Sequence, residues 1–141
     1  SRRDSLTGLE NRGAIDATVQ HLWAQASRGA EGFAVLLIDV DHFKRINDSH
    51  GHAVGDQVLE HVASVIAAQA RQADSVGRYG GDEFIIVAPQ SALAGAAQAA
   101  ERLRLAMEAE HIHARASNLR VTLSIGVAGA RGNRAAVSFA R

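Results

Sequence analysis

Tyr79-Gly80-Gly81-Asp82-Glu83-Phe84, running on into Ile85-Ile86-Val87, is the stretch that decides the fold. Two glycines lead into two adjacent carboxylates and then into an apolar run, which reads as a hairpin turn carrying acid. Glycine reaches positive φ without steric cost and lets another group approach its backbone closely, so Gly-Gly is expected to make a tight turn with room for a ligand. Working outward, Leu36-Leu37-Ile38-Asp39-Val40-Asp41 reads as a buried strand ending in Asp-x-Asp. Carboxylates at two strand or turn ends are what a hard divalent cation requires, because Mg²⁺ takes oxygen ligands and commonly joins protein carboxylates to substrate phosphates.

Periodicity supplies the surrounding elements. Ile15, Val19, Leu22 and Ala26 recur at helical spacing, with a stop near Gly29. Phe33 to Val40 is a short continuous apolar run, expected to be a strand covered on both faces. Val58, Val62, Val65 and Ile66 mark a second amphipathic helix expected to start after Gly55-Asp56. Val76 to Tyr79 and Phe84 to Ala88 form the hairpin arms, and Pro89 closes the second. Leu93, Ala97, Ala100, Leu103 and Met107 give a third helical stripe. Arg120 to Ala128 reads as a strand, with Val121, Leu123, Ile125 and Val127 on one face. The order β, α, β-hairpin, α, β predicts an α+β domain with an antiparallel central sheet flanked by helices.

Composition bounds the function. At 141 residues and 47% hydrophobic content the chain fits one globular domain, 1–141, with a real core. Fifteen basic residues balance fifteen acidic ones, so the surface as a whole points to no nucleic-acid partner. The absence of cysteine excludes a disulfide scaffold or a thiolate metal site and suits a reducing compartment. No apolar run nears the ~20 residues that cross a bilayer. The expectation is a soluble, cytoplasmic domain without membrane contact of its own, excised from something longer.

Five segments together resemble the successive signatures of the GGDEF domain family. They are Asp4 to Arg12 (DSLTGLENR), Ile38 to Asp48 (IDVDHFKRIND), Gly51 to Asp56 (GHAVGD), Arg78 to Phe84 (RYGGDEF) and Ser124 to Ala128 (SIGVA), in the family's order. The resemblance implies a fold like the palm of nucleotidyl cyclases and polymerases, with a ferredoxin-like core. It implies a bacterial signalling activity, the condensation of two GTP to cyclic di-GMP and two pyrophosphates, in a homodimer with Mg²⁺ or Mn²⁺. On this pattern Asp39 and Asp82 hold the metal with the Val40 carbonyl, Glu83 is an accessory ligand, and Asp82 helps deprotonate the 3′-hydroxyl. Asn47 and Asp56 recognise guanine, and Phe43, Leu6 and Leu59 line an apolar floor. Arg71 and Asp74, in Arg71-Gln72-Ala73-Asp74, match the allosteric product site.

Each residue also has a plainer reading. Asp82 and Glu83 would, without Asp39 and the other motifs in register, pass for solvated turn residues. Asn47 suits a helix C-terminal turn and Asp56 an N-cap, although an amide with donor and acceptor beside a carboxylate also suits guanine over adenine. Asp41 either supports the site or caps the next helix. Phe43, Leu6 and Leu59 are compatible with ordinary core. Lys44, the only lysine, neutralises phosphate or stands in solvent. Arg78 pairs with an acid or with a phosphate. Chance predicts about one Arg-x-x-Asp per chain, and Arg45-Ile46-Asn47-Asp48 is another, so Arg71 and Asp74 rest on register. His50-Gly51-His52 lacks the further ligands of a zinc site, and His111 and His113 are placed in a polar loop.

The departure from the family lies at the end. Gly129 to Arg141 lacks the expected helix with an Ala-Asp, Ala-Leu-Tyr, Ala-Lys pattern and closing Gly-Arg-Asn, which contributes basic contacts to the triphosphate. Two functional readings follow: a diguanylate cyclase, or a catalytically weak receptor module that binds GTP or cyclic di-GMP and regulates a partner.

Overall fold

Asn11 starts the first helix. Its side-chain oxygen accepts from the Ala14 N–H at 3.0 Å, which satisfies one of the free amides at the N-terminus of α1 (Arg12–Ser27). In this computed structural model, which describes residues 1–132 and 134–140, α1 is followed by β1 (Phe33–Val40), α2 (Phe43–His50) and α3 (His52–Gln69). Next come β2 (Ser75–Arg78), β3 (Glu83–Pro89) and α4 (Leu93–Glu108), then the short β4 (Ile112–Ala114) and β5 (Ser117–Leu119), and finally β6 (Leu123–Arg131) and β7 (Arg134–Ala140). Asn133 and Arg141, in the segment that departs from the family pattern, lie outside the described residues.

The main sheet runs β2-β3-β1-β6-β7, with every neighbouring pair antiparallel. Since α3 joins β1 to β2 and α4 joins β3 to β6, the core is the ferredoxin-like α+β arrangement expected. Its large buried cluster lies between one sheet face and α3 and α4, uniting Leu36, Ile38, Phe84, Ile86, Leu123 and Ile125 with Val58, Val62, Ile66, Ala100, Leu103 and Met107. On the opposite face α1 buries Ile15 and Ala26 against Phe33, Ile85 and Val87.

That second layer is shorter than the sheet, which corrects the expectation for β1. Its inner residues are buried, but on the other face Leu37 is 45% exposed and Asp39 is open, because α1 covers only the part near Phe33. The Asp39 end of the strand is therefore accessible. Other boundaries move as well. Helix α3 begins at His52, so Gly55 and Asp56 lie inside it rather than before it. The α4 stripe buries Ala96 rather than Ala97. Strand β6 begins at Leu123 and runs on to Arg131, where it turns into β7. His113 stands on the β4–β5 hairpin, whose Ile112 and Ala114 are buried, so the polar spacing hid a small apolar element.

The N-terminal segment is stitched to β2. Glu10 donates its N–H to Val76 O at 3.1 Å, and its carbonyl accepts from Arg78 N at 2.9 Å. Gly77 sits under this crossing, where a Cβ would overlap Ile15 Cγ1 and stand 3.0 Å from Glu10 O. Ile15 is fully buried and the Glu10 carbonyl is held, so neither yields freely. Gly77→Ala is expected to destabilise the domain by about 1–3 kcal/mol through overpacking, read as a lower urea midpoint at unchanged slope.

Candidate active site

Strand pairing brings the acidic elements together. Asp39 lies opposite Glu83 in the β1–β3 register, and Val40 N donates to Asp82 O at 3.2 Å, so the end of β1 is bonded directly to the signature loop. Tyr79 N and Gly80 N both donate to Glu83 O, at 2.7 and 3.2 Å, which closes the loop. Neither Gly80 nor Gly81 has positive φ, contrary to the expectation from the sequence. Space is the reason for the first glycine: a Cβ on Gly80 would overlap the Glu83 carboxylate, 3.1 Å from its Cδ, whereas one on Gly81 would meet no protein atom within 4 Å.

Carboxylates crowd one another here. Partial loss of hydration, followed by the negative charges of Asp82, then Glu83, then Asp41, pushes the Asp39 carboxyl above the ordinary range. Asp39 is an exposed residue, so solvent screens part of this repulsion. Among the described residues no three His, Cys, Asp or Glu side chains form a ready-made metal cluster. Hard oxygen donors that repel one another nevertheless fit a divalent cation whose remaining ligands come from a substrate.

Asp41 is no helix cap. Its two carboxylate oxygens accept from Thr122 Oγ1 and Ser124 Oγ, both at 2.6 Å, and tie the β1 end to β6. Residue His42 caps α2 instead, in the left-handed region and without a side-chain bond. Asp56 is exposed inside α3, which removes its N-cap reading. Asn47 lies in the last turn of α2, where its carbonyl accepts from Gly51 N at 2.8 Å. Its side-chain Oδ1 is buried without a hydrogen-bond donor among the described residues. Leu59 is fully buried, and Leu6 and Phe43 pack partly buried on the same cluster, so these three are core whatever else they do. Lys44 is exposed.

The open question about Arg78 resolves to an acid and a loop. Its Nε and Nη2 donate to Gly81 O at 3.2 and 2.8 Å, while Nη1 reaches Asp4 Oδ1 at 3.3 Å. Asp4 Oδ2 also accepts from Thr7 N and Thr7 Oγ1 at 2.9 and 2.8 Å. Behind the hairpin, Tyr79 OH donates to Asp16 Oδ1 at 2.7 Å and Arg12 stacks 4.3 Å over the Tyr79 ring. These supports span most of the chain. No local pattern announces them, although the alternate hydroxyls Thr122 and Ser124 at the entry to β6 were a usable signal.

Arg71 and Asp74 stand together at another end of the sheet. Arg71 Nε and Nη2 donate to Asp74 Oδ1 at 3.1 and 2.9 Å, and Nη2 also reaches Pro89 O and Ser91 Oγ at 3.1 and 2.8 Å. They border a cleft of about 300 Å³ lined also by Gln69, Gly95 and Leu103.

A sequence profile described as "Diguanylate cyclase, GGDEF domain" matches residues 1–138. The chain belongs to the GGDEF diguanylate cyclase family. It is 39% identical over 132 residues to diguanylate cyclase DgcP of Pseudomonas aeruginosa, a match covering 94% of this chain and 20% of DgcP. It is 42% identical over 132 residues to the response regulator PleD of Caulobacter vibrioides, covering 92% and 29%. The chain thus spans less than a third of the length of either. Among solved structures, the GGDEF domain of DgcB from Caulobacter crescentus in complex with c-di-GMP superposes with a TM-score of 0.88 at 34% identity, covering 94% of this chain and 77% of that one. The FimX GGDEF domain from Pseudomonas aeruginosa reaches 0.92 at 24% identity, a likeness of fold alone. Among the described residues no helix is long and apolar enough to cross a membrane.

The Asp4–Arg78 support has a pH signature. Burial opposes ionisation of Asp4, but the Thr7 and Arg78 donors outweigh it and hold the carboxyl below its ordinary range. The folded state then gives up this proton more readily than the unfolded chain, so the contribution is full above about pH 3.9 and is lost as pH falls through the lower folded value. Asp4→Asn is expected to lower Tm near neutrality and to flatten its decline below pH 4, as followed by thermal melts across that range.

Proposed function

We propose that this chain is a diguanylate cyclase domain, in which two GTP molecules, each held by one copy of the domain, condense to cyclic di-GMP and two pyrophosphates. The observation that carries the reading is the juxtaposition of Asp39, Asp82 and Glu83 where the end of β1 bonds the signature loop, with the Asp39 carboxyl raised by partial loss of hydration and by the neighbouring negative charges. Asp39, Asp82, the Val40 carbonyl and Glu83 would hold Mg²⁺ or Mn²⁺ against the triphosphate. When bound, the cation would neutralise charge on phosphate oxygens and ease ionisation of the attacking hydroxyl.

This chain's own groups do the rest. Asn47 and Asp56 present an amide and a carboxylate to the guanine edge, over a floor made by Leu6, Phe43 and Leu59. Lys44 offers its ammonium to phosphate. The 3′-oxygen of one GTP attacks the α-phosphorus of the other, the bond to the bridging oxygen breaks, and pyrophosphate leaves. Asp82 is the candidate acceptor of the hydroxyl proton. Repetition with the roles exchanged closes the ring, and the symmetric product implies a two-fold arrangement of subunits. The domain is read as part of a longer protein.

One observation favours a receptor reading alongside catalysis. The Arg71–Asp74 pair borders a cleft and offers a guanidinium for phosphate or the guanine Hoogsteen edge and a carboxylate for guanine N1 and N2. Cyclic di-GMP held there would inhibit the cyclase, and it must compete with the bonds Arg71 already makes to Asp74, Pro89 and Ser91.

Incubation of the protein with GTP and Mg²⁺, with cyclic dinucleotide and pyrophosphate followed, tests the enzyme. Asp82→Ala is expected to lower turnover by about 10²-fold or more at unchanged Tm. Nucleotide binding without turnover in the parent chain would favour the receptor instead. Arg71→Ala is expected to relieve inhibition by added cyclic di-GMP, and an unchanged inhibition curve would reject the product site.

A further inference from the structure

Gly55 stands near the start of α3, buried, with its N–H donating to Gly51 O at 3.1 Å and without positive φ. A helix interior disfavours glycine relative to alanine, so conformational freedom does not account for the residue. Its surroundings do. A Cβ at position 55 would overlap Asn47 Oδ1, lie 3.0 Å from Asn47 Cγ and lie 3.2 Å from Phe43 Cζ. Both neighbours are on α2, and both belong to the nucleotide-facing set.

We propose that Gly55 is a positioning residue for base selectivity: the missing side chain lets the Asn47 amide lie in the α2–α3 seam, where it can meet a guanine edge. The proposal rests on the guanine-binding reading of Asn47 and Asp56 and deepens it. Asn47 Oδ1 is the buried side-chain acceptor without a partner among the described residues, and a buried acceptor without a donor is costly. Guanine carries donors at N1 and N2, whereas adenine presents no such pair. Asp56, the next residue on α3, brings a carboxylate to the same helix turn, so residue 55 sets the spacing between the two groups that would read the base. A methyl at 55 meets the tip of a short polar side chain and the edge of a ring rather than fixed backbone, so the fold can accommodate it by swinging Asn47 away.

Gly55→Ala therefore separates recognition from stability. Helix propensity favours the alanine, so Tm is expected to hold or rise. Affinity for a non-hydrolysable GTP analogue is expected to fall about tenfold, and the preference for it over the matching ATP analogue to shrink by a similar factor, because the hydrogen-bonding amide is displaced. In turnover the loss falls on KM more than on kcat. In an Asn47→Ala background, Gly55→Ala is expected to change GTP-analogue affinity less than twofold, since the group it displaces is gone. A guanine preference that survives Gly55→Ala, or an equal affinity loss in both backgrounds, overturns the proposal alone. A parent chain with no preference for the GTP analogue over the ATP analogue overturns the guanine reading, and the proposal with it.

Discussion

The backbone bond from Val40 N to Asp82 O, continuing the register that sets Asp39 against Glu83, is the constraint on which the rest of the molecule turns. It joins two segments more than forty residues apart and makes the end of one strand and the loop before another a single surface. Strand register decides which face Asp39 takes, because a slip of one residue would send it into the core. The mutual repulsion of the carboxylates is tolerated since the core-facing pairs behind them are apolar and buried: Ile38 with Phe84, Leu36 with Ile86, Ala34 with Ala88.

Supports around that junction come from distant parts of the chain. Arg78 grips the Gly81 carbonyl and the Asp4 carboxylate, so the N-terminal turn braces the loop from one side. Ser124 of β6 and Thr122 just before it hold Asp41, and Tyr79 leans on α1 through Asp16 and Arg12. Such cross-braces are what hold a charged loop in one geometry. They also explain how the short second layer is enough: α1 covers the sheet near Phe33 and leaves the strand end at Asp39 open.

Much of this was legible in the sequence, for definite reasons. Strict alternation in β6 and the Leu103–Met107 stripe of α4 declare their inner faces, and the ordered signatures single out Asp39, Asp82, Asn47 and Asp56, the residues proposed for the site. Local pattern failed where meaning depended on a distant partner. Asp56 reads locally as either a cap or a guanine contact, and α3, beginning four residues earlier, removes the cap; Asp41 reads as either a cap or a support of the site, and two hydroxyls across the sheet claim it. The glycines misled in the same way. Gly80 is read from sequence as freedom of the backbone and Gly55 only as a residue before a helix, yet what they supply is room for Glu83 and for Asn47. The open outer face of β1 was likewise invisible, because a continuous apolar run does not say how far the covering helix reaches.

Titration with Mn²⁺ in the presence and absence of a non-hydrolysable GTP analogue, followed by electron paramagnetic resonance, addresses the junction itself. The account predicts weak binding of Mn²⁺ to the protein alone, strong binding with the analogue, and loss of the strong binding in both Asp39→Asn and Asp82→Asn. Strong binding that persists in either variant would contradict a site shared between the two strand ends.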